Sequence, residues 1–64
     1  RRLKVLYMTQ VATKPPTFAI FVNSKKLFHL SYQRYIVNKL RSEFDFTGTP
    51  IRILVRERED KDNG

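Results

Sequence analysis

Lysine and arginine are the residues whose number and spacing point most directly to a chemistry. The 64 residues contain thirteen Lys and Arg against six Asp and Glu, a net charge of +7. Residues 57–64 carry a net charge of −2, so residues 1–56, with eleven basic and two acidic side chains, carry +9. A folded body with this charge attracts polyanions through its summed field. The balance favours a nucleic acid partner, with an acidic protein neighbour as the alternative.

Groups that catalyse reactions or bind metals are few. There is no cysteine, which excludes disulfides and thiolate metal sites. His29 has no carboxylate near it in sequence, and Glu43 and Asp45 both lie at the end of a predicted helix. Ser31 suits a helix cap better than a nucleophile. The sequence therefore predicts no catalytic site, no metal site and no cofactor in this chain.

The compartment follows from what the sequence lacks. The longest apolar run, Phe18–Val22, is too short to cross a membrane. The N-terminal arginines are not followed by the apolar segment of a signal peptide. We expect a cytoplasmic location and no membrane partner.

Two β-strands are predicted in the first third of the chain. Residues 3–13 are rich in Val, Leu, Tyr and Thr, and residues 17–23 carry no charge, which is typical of a central strand. Pro15 and Pro16 lie between them and cannot donate to a strand ladder. We expect a rigid, wide connection that contains both prolines and holds Lys14 outward.

One helix is predicted over residues 31–44, after a loop that exposes two lysines. Ser31 is the candidate N-cap, and Leu30 is expected to pack beneath the helix. Asp45 in a left-handed conformation and a turn at Gly48 are expected to end it. Apolar residues recur every four positions on one side, and Arg34, Lys39 and Arg41 are assigned to a basic side.

The aromatic residues are mostly expected in the core. Tyr7 and Phe46 are the two for which we consider exposure and base stacking. The residues assigned to the core are Phe18, Phe21, Tyr32, Tyr35 and Phe44.

A third strand is predicted over residues 51–58, where apolar and basic residues alternate. Ile51, Ile53 and Val55 point one way, and Arg52, Arg56 and Arg58 point the other, with Leu54 among them. Residues 59–64 are expected to form a disordered acidic tail. The order β-β-α-β predicts an α+β domain over residues 1–58, with a three-stranded mixed sheet covered by the helix and the last strand parallel to the second.

Several segments resemble the C-terminal domain of the EngA (Der) family, bacterial proteins with two tandem GTPase domains implicated in assembly of the large ribosomal subunit. The segments are TQVATKPPTF, FVN, FHLSYQRY and GTPIR, in this order, and the resemblance covers residues 1 to about 58. It implies a KH-like fold with an additional helix before the first strand. A usual KH domain grips RNA with a Gly-x-x-Gly loop. This chain has only Gly48 and Gly64, so it lacks that loop, as the family's domain does.

The resemblance implies that GTP and Mg²⁺ bind in GTPase domains absent from these residues, since no Gly-x-x-x-x-Gly-Lys-Ser/Thr motif occurs here. Two functions remain open. In the first, the domain contacts ribosomal RNA of the large subunit, with the helix cations as the first candidates and the arginines of the last strand as the second. In the second, it docks against the GTPase domains of its parent protein and responds to their nucleotide state. The candidate contact residues are Lys14, Lys25, Lys26, Arg34, Lys39, Arg41, Arg52, Arg56 and Arg58.

Overall fold

The computed structural model of the chain describes residues 2–59 and contains three strands and one α-helix in the predicted order. The predicted tail at residues 59–64 lies outside the described residues except for Glu59. The elements are β1 (Val5–Thr13), β2 (Pro16–Val22), a 3₁₀-helix (Lys25–Leu27), α1 (Leu30–Glu43) and β3 (Arg52–Glu57).

The connection between β1 and β2 is tighter than the sequence predicts. It consists of two residues, Lys14 and Pro15, and Pro16 already pairs with Thr13 as the first residue of β2. The Lys14–Pro15 peptide bond is cis, as in tight turns with proline at the third position. The prediction of a wide connection containing both prolines is therefore wrong. Pro16 is tolerated because the first residue of a strand can lack an N–H donor.

The sheet has the order β1-β2-β3, with β1 antiparallel and β3 parallel to β2. This confirms the mixed sheet and the central position of β2, whose segment is uncharged. Ile20 and Val22 of β2 have no exposed surface, and Leu40 of α1 packs into the same core. Phe18 lies on the same side of β2 and is also buried, whereas Ala19 is buried on the opposite side of the sheet.

The helix begins one residue earlier than predicted. His29 is the N-cap residue, and its carbonyl oxygen accepts hydrogen bonds from the backbone N–H groups of Tyr32 (3.0 Å) and Gln33 (3.1 Å). Ser31 is therefore inside the helix and does not cap it. Leu30 does not pack beneath the helix either, because 64% of its surface is exposed as the first helical residue.

The helix ends without a left-handed residue at Asp45, contrary to our prediction. Phe44, the C-cap residue, is extended, and among residues 2–59 only Gly48 has a positive φ, of 73°. Asp45 instead accepts hydrogen bonds from Thr47, from its hydroxyl at 2.9 Å and its backbone N–H at 3.4 Å. These two bonds, the hydroxyl's foremost, lower the pKa of the Asp45 carboxyl.

The helix covers the sheet only in part. Tyr32, Tyr35 and Phe44, which we assigned to the core, are exposed, and of the helical residues only Leu40 is buried. Within the part of the chain that the structure describes, no helix is long and apolar enough to cross a membrane.

Candidate nucleic-acid interface

The sheet has two faces of opposite character, which the strand register defines. Ile20 of β2 pairs with Met8 and Val55 on the inner face, which α1 covers in part. The next residue, Phe21, pairs with Tyr7 and Arg56 on the opposite side. We call that side the outer face; its residues include Tyr7, Thr9, Ala19, Phe21, Arg52, Leu54 and Arg56.

A β-bulge places Tyr7 on the outer face. Val5 pairs with Val22, whereas Tyr7 pairs with Phe21, so two steps along β1 correspond to one step along β2. The extra residue, Leu6, shifts the alternation, because a bulge sets two residues of one strand against one of its partner. Val5 and Met8 consequently face the helix, while Tyr7 faces away from it.

Tyr7, Phe21 and Arg58 form a compact cluster on the outer face. The rings of Tyr7 and Phe21 are stacked, with centroids 4.5 Å apart and planes 16° from parallel. The guanidinium carbon of Arg58 lies 5.8 Å from the centroid of the Phe21 ring, and its Nη1 donates a 2.8 Å hydrogen bond to the Tyr7 hydroxyl oxygen. Cation–π attraction and this bond hold Arg58 against the aromatic pair.

The sheet arginines are the predicted site residues that the fold brings onto one surface. Arg56 is the direct neighbour of Phe21, and Arg58 lies over it. Arg52 is on the same face but at the other end of β3, where it pairs with Thr17. All three arginines are exposed. Their alternation with apolar residues, read from the sequence, is confirmed by the register.

The loop lysines lie at opposite ends of the sheet. Lys25 and Lys26 follow the end of β2, and the backbone N–H of Lys25 donates a 2.8 Å hydrogen bond to Oε1 of Glu57 at the end of β3. They therefore belong to the same end as Arg56 and Arg58. Lys14, in the exposed turn between β1 and β2, lies at the other end.

The three helix cations do not form one surface, contrary to the predicted basic side. At 3.6 residues per turn, Arg34 and Arg41 are nearly aligned, whereas Lys39 is well over a quarter-turn away from both. Lys39 lines a groove on the inner face, and Arg34 lines a separate shallow depression beside Leu30. Arg41 Nη1 donates a 3.0 Å hydrogen bond to the carbonyl oxygen of Phe46, beyond the helix end.

The inner face carries an apolar groove of about 320 Å³ between β1 and α1. Its sheet side is lined by Val5, Met8 and Ile20, and its helix side by Tyr35, Ile36, Leu40 and the C-cap residue Phe44. Lys39 and Glu43 are its charged members. Such a surface suits a protein segment better than a polyanion.

The groups considered for catalysis are not assembled into a site. His29 caps the helix through its backbone, Ser31 is in the first turn, and Glu43 and Asp45 lie at the far end. Within residues 2–59 no three potential metal-ligating side chains lie together.

Comparison with known proteins assigns a family to this arrangement. Residues 1–56 match the family model described as the KH-domain-like region of EngA bacterial GTPase enzymes, C-terminal. Proteins named GTPase Der are similar to the chain: that of Caldicellulosiruptor saccharolyticus is 64% identical over 62 residues, covering 97% of this chain and 14% of the relative. Those of Leuconostoc mesenteroides and Lactobacillus acidophilus are 63% and 61% identical over 59 residues, covering 92% of this chain and again 14% of each relative.

The chain belongs to the EngA C-terminal KH-like family. The predicted resemblance is thereby confirmed, and with it the α+β fold with one mixed sheet. The chain spans about 14% of the length of the curated relatives that it matches. In an EngA KH-like domain without Gly-x-x-Gly, the usual RNA-gripping loop of KH modules is missing, so a different surface has to provide any RNA contact.

Two features of this EngA domain escaped the sequence analysis. The first is the contact between Tyr7 and Arg58, which are 51 positions apart and meet only because β1 and β3 flank the same strand. The second is Asn23, whose side chain accepts from the N–H of Lys4 (2.8 Å) and donates to the carbonyl oxygen of Arg2 (2.9 Å). The residue types alone carried no signal of either; for Asn23, burial of a polar side chain is the structural clue.

Proposed function

We propose that this domain provides RNA contacts for a bacterial GTPase that acts in assembly of the large ribosomal subunit in the cytoplasm. Its partner on the outer face is ribosomal RNA, bound mainly through phosphates. GTP and Mg²⁺ belong to the GTPase domains of the parent protein, and this domain does no chemistry on them. The proposed parent protein is supported by the relatives named GTPase Der, since this chain matches about 14% of the length of each.

The observation that carries the proposal is the concentration of arginine on the outer face. Arg52, Arg56 and Arg58 lie on one side of the sheet, and no described acidic residue pairs with that side in the strand register. Exposed guanidinium groups bind phosphate through several donors, and each contact releases counterions. With a net charge of +9 over residues 1–56, binding is further favoured by the field of the whole domain.

A second function, docking against the GTPase domains, is favoured by the groove on the inner face. Its apolar lining and its one Lys and one Glu suit a protein surface. The two functions therefore use opposite faces: RNA on the outer face and protein on the inner face. In the stricter alternative, the domain only docks, responds to the nucleotide state of its neighbours and binds no RNA.

Two triple variants with the same charge change test the proposal. Arg52→Ala, Arg56→Ala and Arg58→Ala together remove three charges from the outer face. Arg34→Ala, Lys39→Ala and Arg41→Ala together remove three charges from the helix. Affinity for ribosomal RNA and for an unrelated RNA is measured across a salt series by filter binding, with circular dichroism to confirm folding.

The outer-face triple variant should bind both RNAs more weakly, and its salt slope should be flatter by about one unit for each lost phosphate contact. The helix triple variant should lose less affinity for both RNAs, and its salt slope should change less. Equal losses in both variants would mean that charge acts without a defined surface. A larger loss in the helix variant would return the site to the helix. If the wild type binds no RNA even at low salt, docking alone accounts for the basic body.

A further inference from the structure

The exposed ring of Tyr7 is held in place before any ligand arrives. Its surface is 46% exposed, although Phe21 stacks against it and Arg58 donates to its hydroxyl. A side chain already fixed by such contacts loses little rotamer entropy when a second group packs on it. Cross-strand aromatic pairs also stabilise sheets, but that role needs neither the exposure of Tyr7 nor the cationic neighbour.

Tyr7 is exposed at the edge of the sheet. It lies on β1, which is an edge strand of the sheet, and Phe21 occupies one face of its ring. Every nucleobase has a π-face that stacks on an aromatic ring, whatever its sequence. Bases within a duplex are stacked on one another, so only an unpaired base is free to stack on Tyr7.

Two arginines lie beside the stacked pair of Tyr7 and Phe21. Arg58 uses one donor on the Tyr7 hydroxyl, and a guanidinium group has five. Arg56 is the register neighbour of Phe21, and Lys25 and Lys26 follow the same end of β2. A nucleotide whose base stacks on Tyr7 thus has Arg56 and Arg58 within reach of its phosphates.

We propose that Tyr7 is a base-stacking residue that makes the outer face prefer single-stranded RNA, with Arg56 and Arg58 on the adjacent phosphates. This inference rests on the proposed RNA-binding function and adds the class of RNA and the residue that selects it. It differs from the grip of a Gly-x-x-Gly loop, which this chain does not have.

The test measures binding of the 64-residue chain to three RNA probes. They are a single-stranded oligoadenylate, the same backbone with abasic sites, and a duplex of matched charge. Tyr7→Ser removes the ring, Tyr7→Phe keeps it, and Met8→Ser is the control on the same strand but on the inner face. Binding is followed by fluorescence anisotropy, and folding by circular dichroism.

The wild type should bind oligoadenylate about tenfold or more tightly than the abasic strand, the size expected for one stacked base. Tyr7→Ser should lose that difference while keeping its affinity for the abasic strand and the duplex. Tyr7→Phe and Met8→Ser should both keep the difference.

Three results would overturn the inference, and they separate it from the proposed function. If Tyr7→Ser weakens all three probes equally, the residue is structural. If the wild type binds abasic and base-bearing strands equally, no base stacks, while phosphate binding by the domain stands. If the wild type binds none of the probes at low salt, the stacking residue and the RNA-binding function fail together.

Discussion

The inner and outer faces of the sheet are built from the same strands and differ in what they leave exposed. On the inner face, Ile20 and Val22 are fully buried. On the outer face, Phe21 lies between Tyr7 and Arg56, with arginine exposed to solvent. Because neighbouring residues point to opposite sides, one strand can serve stability with one set of side chains and binding with the other. We therefore assign folding to the inner face and propose RNA contact on the outer face.

The inner face is itself divided. Leu40 is buried, whereas Tyr35, Phe44 and Met8 remain exposed around the groove. A helix of 14 residues is too small to cover three strands completely. The additional helix expected before β1 from the family resemblance stays a prediction, and the apolar groove is a surface of the kind that such a helix buries.

The largest effect should come from truncating a side chain on the inner face. Ile20→Ala should lower the free energy of unfolding by about 2–5 kcal/mol, because it leaves a cavity where no surface is exposed. Leu54→Ala, on the half-buried outer face, should cost about 1 kcal/mol. Urea denaturation measures both. Equal losses of unfolding free energy in the two variants would contradict the assignment of folding to the inner face.

Asn23→Asp should have the next largest effect. The substitution replaces the N–H₂ donor that bonds the Arg2 carbonyl oxygen with an oxygen, so two acceptors face each other in a buried position. We expect a loss of about 1–3 kcal/mol in unfolding free energy. Asn38→Asp, the same change at an exposed helix position, is the matched control and should be nearly neutral.

The Asn23→Asp variant should also affect RNA binding on the outer face. Asn23 ties the residues before β1 to the end of β2 through Lys4, and so helps to set Tyr7 beside Phe21. RNA binding by the folded fraction of Asn23→Asp should therefore fall along with stability. Unchanged stability in this variant would show that the hydrogen bonds to residues 2–4 do not hold the strand.

The smallest effect should be a pH dependence at the end of α1. Hydrogen bonds from Thr47 lower the pKa of the Asp45 carboxyl below its usual 3.8. Their stabilisation is complete above the unfolded pKa and is lost as the pH falls through the lower folded pKa. Between pH 5 and pH 2, wild type should lose slightly more stability than Asp45→Asn in thermal unfolding. Identical pH profiles would show that the exposed turn contributes nothing.

The sequence predicted the elements of this fold better than their junctions. Alternation in β3 predicted a basic face through its period of two, and the uncharged, continuously apolar segment of β2 predicted a central strand; neither pattern needs tertiary information. The predictions of a wide connection at Pro15–Pro16 and of an N-cap at Ser31 were wrong, because each depends on backbone geometry that several residue types allow.

The sequence predicted the charges of the candidate site and named Tyr7 for exposure and stacking, but it did not predict the contact of Tyr7 with Arg58. Arg52, Arg56 and Arg58 came from the pattern of one strand, whereas Tyr7 reaches the same face through a bulge in another. A strict alternation would have placed Tyr7 with Val5, on the inner face. The exposure of the helix aromatics also escaped prediction, since a helical stripe does not reveal how much sheet there is to cover it.

The claim that RNA binds the outer face is tested most directly by NMR titration of the labelled 64-residue chain with a single-stranded ribosomal RNA fragment. We expect the largest shifts at the side chains of Tyr7, Phe21, Arg56 and Arg58, and little movement of signals from the inner-face groove. Shifts concentrated at Arg34, Lys39 and the groove residues Met8 and Ile36, with the outer face unchanged, would contradict it.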